Sequence, residues 1–206
     1  MKTAFDIGAN IGNATEHYLK QGYKVISVEA NDALCEKLRN RFRGRDVVVE
    51  SCAVSSSVGE LDFYHSNADT ISTASLDWIT KSRFTPNYKW NPPVKVKAVT
   101  LDHLIQKYGT PDIIKIDVEG YESEVISGLT NPCADLILFE WAEEEFSKVC
   151  KTCSMLQNLG YSKFGYTNGD SLNDCPTNFS DWDKCELHSR VIPSRKELWG
   201  MIYAKK

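Results

Sequence analysis

Three carboxylates stand at or just past the ends of apolar runs that read as β-strands: Asp117 and Glu119 in "IIKIDVEGYESEVISGL", residues 113–129, and Glu140 in "LILFEW". Ligands of open α/β sheets gather at the carboxyl ends of the strands, so acids placed there face a crevice where chemistry can be done. A hydroxyl is a poor nucleophile, and a carboxylate within hydrogen-bond reach of it can add about 10²- to 10⁴-fold as general base. Asp117, Glu119 and Glu140 are therefore the candidate catalytic residues. Side chains alternate along a strand, which puts Lys115 on the same face as Asp117 and turns Ile114 and Ile116 the other way, into packing. For Glu119 and Glu140 a second reading stays open, namely helix-start electrostatics or a hydrogen bond one step removed from the chemistry. The same acids could also hold Mg²⁺, which prefers oxygen ligands and would acidify a bound hydroxyl. The sequence commits to no metal.

The first strand supplies a second centre. In "FDIGANIGNAT", residues 5–15, an apolar run ends at Ile7, and Gly8 and Gly12 bracket a turn that opens a helix. Glycine there lets the backbone approach a ligand closely, and a nucleotide-derived cofactor is implied. A dinucleotide site needs G-x-G-x-x-G to seat a pyrophosphate, whereas this turn reads G-A-N-I-G with Asn10 in the middle. S-adenosylmethionine carries no phosphate. It needs a glycine turn against its amino-acid part and an acid at the end of the next strand for the ribose hydroxyls, and Glu29 in "VISVEAN" stands there. An NAD-dependent oxidoreductase on the same fold is the alternative that the missing third glycine disfavours.

The elements that must position these groups alternate between strand-length apolar runs and helical patterns, which argues for βαβ units and a mainly parallel sheet. Strands are expected at about Thr3–Ile7, Lys24–Glu29, Val47–Glu50, Glu60–Tyr64, Val94–Val99, Ile113–Val118, Leu136–Glu140, Ser162–Tyr166 and Leu198–Tyr203. Helices are expected over Asn13–Gln21, Ala33–Arg43, Leu101–Tyr108, Glu122–Gly128 and Ala142–Leu159, with Gly22, Gly44, Gly109, Gly128 and Gly160 at or beyond their ends. Two segments, 66–93 and 168–195, read as irregular and mix polar residues with aromatics. Such a mixture suits carbohydrate, with hydroxyls at its rim and C–H patches on its faces; aromatics that simply pack down are the other reading.

Taken in order, "FDIGANIG", "VEAN", "AVSSSVGELDFY", "VTLDHLI", "IIKIDVEGYESEVISGL" and "LILFEW" resemble the FkbM family of S-adenosylmethionine-dependent methyltransferases over about residues 3–141. The Lys-Ile-Asp-Val-Glu-Gly segment is the most distinctive match, and residues 142–206 match only loosely. The resemblance implies a Rossmann-like class I methyltransferase fold: α/β, a seven-stranded mostly parallel sheet with a C-terminal antiparallel hairpin, helices on both faces. It also implies methyl transfer to a hydroxyl oxygen, often on a sugar. Carried over by position, Asp6, Gly8, Asn10 and Gly12 resemble the cofactor turn, with Ala9 and Thr15 beside them. Glu29 and Ala30 resemble the ribose site, Cys52 and Ala53 the adenine site, and Asp117 the methyl-delivery end.

The bulk numbers narrow the partner. With 206 residues, 24 Lys+Arg against 28 Asp+Glu and a net charge of −4, the chain fits one domain and carries no basic field for a nucleic-acid backbone. A carbohydrate or glycoconjugate acceptor is expected, with no nucleic acid and no membrane span. The absence of a signal-like start points to a cytoplasmic protein. The first strand begins almost at Met1, so the chain is read as either a minimal methyltransferase or a domain cut from a longer polypeptide. In the second case it would be fused to or associated with a glycosyltransferase, and a non-catalytic cofactor-binding module is a further alternative. Seven cysteines make a disulfide framework improbable. Cys150 and Cys153 fall on the apolar stripe of one helix rather than in a zinc site, while Cys175 and Cys185 have no reading. "WNPPV", residues 90–94, precedes a strand and lacks an aromatic after its prolines, which separates it from the motif of base-flipping methyltransferases. Of the four histidines only His188 is carried as a candidate base.

Overall fold

The computed structural model describes residues 2–169, 172, 175–182 and 199–206. In chain order the elements are β1 (Thr3–Ile7), α1 (Asn13–Lys20), β2 (Lys24–Glu29), α2 (Asp32–Arg41), β3 (Val47–Ser51), β4 (Ala53–Val54), β5 (Gly59–Phe63), α3 (Leu76–Lys81), β6 (Val94–Val99), α4 (Leu101–Tyr108), β7 (Ile113–Ile116), α5 (Glu122–Ser127), β8 (Leu136–Ala142), α6 (Phe146–Asn158), β9 (Lys163–Asn168), β10 (Ser180–Asp181) and β11 (Trp199–Lys205). Short 3₁₀ turns lie at Asp69–Ile71 and Glu143–Glu145. His188 and Cys185 lie outside the described residues.

The main sheet runs β10-β9-β11-β8-β7-β1-β2-β3. Pairings from β3 through β8 are parallel, and β8–β11, β11–β9 and β9–β10 are antiparallel. The expected Rossmann-like arrangement is therefore present, with one difference in count: the two-residue β10 adds an eighth strand at the edge beyond the antiparallel hairpin. Two of the strands read from the sequence, β5 and β6, leave the main sheet. They pair antiparallel with each other, and β6 pairs parallel with β4, as a separate three-stranded sheet. Their alternating apolar and charged residues mark a one-sided sheet, whereas β1, β2, β7 and β8 are buried almost throughout, as central strands covered on both faces must be.

Local chemistry sets the helix starts. Asn31 caps α2 by accepting from the Ala33 N–H, Ser75 caps α3 through Trp78 and Thr100 caps α4 through His103. Two of the shifted boundaries bear on the site and its neighbouring helix. The strand read as Ile113–Val118 ends at Ile116, which leaves Asp117 in the turn, although its N–H still reaches the Ile7 carbonyl at 3.0 Å. The helix read as Ala142–Leu159 begins only at Phe146, because β8 continues to Ala142 and a 3₁₀ turn follows. Cys153 is buried in the main core cluster, as its place on the apolar stripe of α6 requires.

Segment 66–93 is folded rather than open. It contains α3, is bridged to the strand before it at Tyr64–Thr73 and to itself at Ser66–Trp90, and buries Trp78. The Trp90 indole N–H donates to the Ile71 carbonyl. The chain order places the switch of direction between β1, which leads outward to β2 and β3, and β7, which leads to β8 on the other side. A crevice opens above the carboxyl ends of these two strands.

The core that fixes this crevice centres on Phe5, Ile26, Ile114, Ile137 and Phe139, all at 0% exposure. Phe139 immediately precedes Glu140 on β8. Phe139→Ala is expected to lower the unfolding free energy by about 3–5 kcal/mol, read from urea denaturation monitored by circular dichroism.

Candidate active site

The glycine turn after β1 is built around two backbone approaches. The N–H groups of Gly8 and Ala9 both donate to the Val28 carbonyl, which binds the turn to β2. Gly8 has φ +76°, and a Cβ there would lie 1.9 Å from the Asp117 carbonyl oxygen, so no side chain fits between the ends of β1 and β7. Asn10 also takes a left-handed backbone, φ 49°, which aims its N–H at Glu29 Oε2 at 2.8 Å. The other oxygen of Glu29 accepts from the Asn31 N–H at 2.8 Å. Glu29 is thus locked by one bond on each oxygen, with lone pairs left over on both. Burial raises its pKa, and the backbone N–H groups of Asn31 and Asn10 work against that rise by favouring the carboxylate.

Beneath the turn runs a buried polar chain. Thr15 Oγ1 donates to Asp6 Oδ2 at 2.6 Å and shares a 2.7 Å hydrogen bond with Ser27. Lys115, 5% exposed, places its ammonium 3.6 Å from Asp6 Oδ1 and 3.1 Å from Asp117 Oδ2, and donates to the Gly8 carbonyl at 3.4 Å. The shared face of Lys115 and Asp117 expected from strand alternation is what brings this contact about, with Ile114 and Ile116 buried opposite.

A cavity of about 530 Å³ occupies the crevice, within the usual range for small-molecule sites. Gly8, Ala9, Asn10, Glu29, Ala30, Cys52, Ala53 and Asp117 line it, and so do Glu119 and Glu140. Asp6, Gly12 and Thr15 are placed behind its wall: Asp6 and Thr15 in the polar chain, and Gly12 under Leu38 and Phe42, where a Cβ would lie 2.5 Å from the phenyl ring. Burial pushes the Cys52 thiol up to about 12, so it contributes an uncharged wall.

In the same cavity Asp117, Glu119 and Glu140 converge, each presenting an oxygen within 4.8 Å of the others. Glu119 has φ +56°, an uncommon conformation for a residue with a Cβ, and the following Gly120 has φ +82°. This turn is held from two sides. The Thr73 hydroxyl donates to the Glu119 carbonyl at 2.7 Å, and the Glu122 carboxylate accepts from the N–H groups of Val118 and Gly120 at 3.0 and 3.3 Å. Burial pushes the Glu119 carboxyl well up, and the negative charges of Asp117 and Glu122 push the same way. Glu140 is raised well above the ordinary range by burial, then by Glu119 and Asp117, with Arg83 opposing. Glu122 is pushed up to about 7, chiefly by burial.

Segment 66–93, whose aromatics the sequence marks as suited to a ligand, brings Phe84 and Tyr88 to the cavity's other wall, while Arg83, Tyr121 and Trp199, which line it too, were missed by sequence reasoning. The Arg83 guanidinium lies over the rings of Phe84, Trp78 and Trp199 at 4.6, 5.5 and 5.7 Å, pairs with Glu144 at 3.1 Å and stands 3.9 Å from Glu140. The aromatic-rich composition of the segment was a visible signal. Which of Lys81, Arg83 and Lys89 turns inward depends on α3 and is not local information.

The cavity fits S-adenosylmethionine on its own chemistry. A glycine turn open to close approach, a buried carboxylate with spare lone pairs and an acid cluster line one cavity. A family model described as the methyltransferase FkbM domain matches residues 6–163. No curated protein matches the sequence. Among solved structures, the chain is similar to a precorrin-6y C5,15-methyltransferase from Geobacter metallireducens, at 12% identity and TM-score 0.48 over 100% of this chain and 80% of that one. It is also similar to a SAM-dependent O-methyltransferase from Thermotoga maritima, at 13% and 0.48 over 100% and 59%. A third is the Pyrococcus abyssi tRNA (uracil-54, C5)-methyltransferase in complex with S-adenosyl-L-homocysteine, at 11% and 0.47 over 100% and 34%.

Two outcomes are expected. Gly8→Ala forces its Cβ into the Asp117 carbonyl, so calorimetry should show S-adenosylmethionine affinity reduced by roughly tenfold or more and a melting scan a lower Tm. For Glu122, the folded state keeps a proton that the unfolded chain releases near its ordinary value of 4.5. Stability therefore falls as pH rises from about 4.5 to about 7. Glu122→Gln should flatten that part of the profile in chemical denaturation at stepped pH.

Proposed function

The chain belongs to the FkbM methyltransferase family, and from that membership we propose that it methylates a hydroxyl oxygen of a carbohydrate or glycoconjugate. Its methyl donor is S-adenosylmethionine, which sets aside the dinucleotide alternative. The observation that carries the oxygen reading is the convergence of Asp117, Glu119 and Glu140 in the cavity that also holds Glu29 and the glycine turn. A hydroxyl must lose its proton to become a competent nucleophile, and this cluster is where a proton can go.

In this reading Glu29 takes the ribose hydroxyls on its spare lone pairs, Gly8, Ala9 and Asn10 receive the amino-acid part, and Ala30, Cys52 and Ala53 face the adenine. When bound, the cofactor supplies an electrophilic methyl on a sulfonium, and its transfer to the acceptor oxygen leaves a neutral thioether. Lys115 fixes the Asp117 carboxylate by its 3.1 Å ion pair. Glu140, 3.9 Å from the Arg83 guanidinium that favours its charged form, accepts the proton of the acceptor hydroxyl. The rim supports a sugar. Phe84 and Tyr88 offer aromatic faces, and Asp69, Thr70 and Ser72 offer polar groups around the same cavity. Among the described residues no helix is long and apolar enough to cross a membrane.

Incubation with isotope-labelled S-adenosylmethionine and a panel of mono- and oligosaccharides, followed by mass analysis, should place the label on a sugar oxygen. Glu140→Gln should lower kcat by roughly 10²-fold or more while leaving cofactor affinity unchanged. Label in an added nucleic acid, or on a carbon atom, overturns the reading.

A further inference from the structure

We infer that Asp117, Glu119 and Glu140 form a binding site for a hard divalent cation of the Mg²⁺ or Ca²⁺ type, which would hold and polarise the acceptor hydroxyl. The role of that cation rests on the hydroxyl reading above, whereas the site itself rests on geometry. Three carboxylate oxygens within 4.8 Å of one another match the span of one coordination sphere. Trans ligands are roughly 4.2 Å apart around Mg²⁺ and roughly 4.6–5.2 Å apart around Ca²⁺. An all-oxygen donor set selects these ions over zinc or copper.

An acid cluster on a surface needs no cation, because water and salt screen it. This one combines a buried Glu140 with a Glu119 oxygen closed off from solvent. The Glu140 side chain is 8% exposed, and among the described residues its nearest cation, the Arg83 guanidinium, stands 3.9 Å away, beyond hydrogen-bond distance. Oε2 of Glu119 is fully buried and has no hydrogen-bond partner among the described residues. Buried carboxylate oxygens without donors are costly unless a proton or a cation completes them. Two further features favour a cation. Arg83 is engaged with Glu144 at 3.1 Å and Lys115 with Asp117 and Asp6, so the positive charges near Glu119 are each shared with other carboxylates. The cluster also opens into the cavity, where an acceptor oxygen and water can fill the remaining coordination positions.

The test is a titration of Mn²⁺ onto the chelator-washed chain, with free Mn²⁺ counted by electron paramagnetic resonance and neither donor nor acceptor present. One Mn²⁺ per chain is expected, with affinity reduced roughly tenfold or more in Glu119→Gln and in Glu140→Gln. Mg²⁺ or Ca²⁺ should raise the Tm of the unsubstituted chain, a check that does not depend on either variant folding. Absence of stoichiometric Mn²⁺ binding, or binding undiminished in both variants, overturns the site. Mn²⁺ bound as expected without methylation of any hydroxyl supports the site and strikes at the hydroxyl reading. Methyl transfer to a sugar that is indifferent to chelator, with no Mn²⁺ bound, removes the cation and leaves the hydroxyl reading in place.

Discussion

A lysine ammonium buried beneath a backbone turn is tolerable only when its charge is matched, and that constraint organises the molecule. Lys115 meets Asp6 from β1, Asp117 from the turn after β7 and the carbonyl of Gly8. These three partners belong to the two strands that flank the topological switch. Removing one member of such a group leaves an uncompensated buried charge, which costs about 3–5 kcal/mol. The ends of β1 and β7 are consequently tied at one distance, and the floor of the cavity is set before any ligand arrives.

From that floor two kinds of wall rise. One is made by strand ends and carries the groups with defined chemistry: Glu29 on β2, Glu140 on β8 and the left-handed turn at Glu119. The other is segment 66–93, a folded excursion between β5 and β6 that brings Arg83, Phe84 and Tyr88 to the rim. The division follows from mechanics. Groups that must be held within tenths of an ångström belong on a hydrogen-bonded ladder, and groups that select a partner by shape can sit on a connection that varies without disturbing the sheet.

The parts legible in the sequence were those with local grammar. Strand periodicity located β1, β2, β7 and β8, the glycine spacing marked the turn, and alternation along β7 paired Lys115 with Asp117. Glu29, Asp117, Glu119 and Glu140 all reach the cavity for that reason. The limits had the same origin. That β5 and β6 form a second sheet with β4 is a matter of long-range pairing, and β4 itself is only two residues long. Asp6, Gly12 and Thr15 stand in the most informative stretch of sequence yet lie behind the cavity wall, because a turn needs buried support as well as exposed backbone, and residue type does not distinguish the two. Arg83 was invisible because its inward direction is decided by α3 and by the rings of Phe84 and Trp199, one near in sequence and one far.

The hydrogen bond from the Thr73 hydroxyl to the Glu119 carbonyl joins the two walls. Its consequence is evolutionary. A lineage that reshapes its rim to admit a new partner also tugs on the acid-bearing bend, so the recognition surface and the reacting groups cannot drift as separate modules. Grafting the rim from a relative would transplant that tether with it, and chimeras that omit the tether would inherit a pocket whose acids are out of register with their new guest.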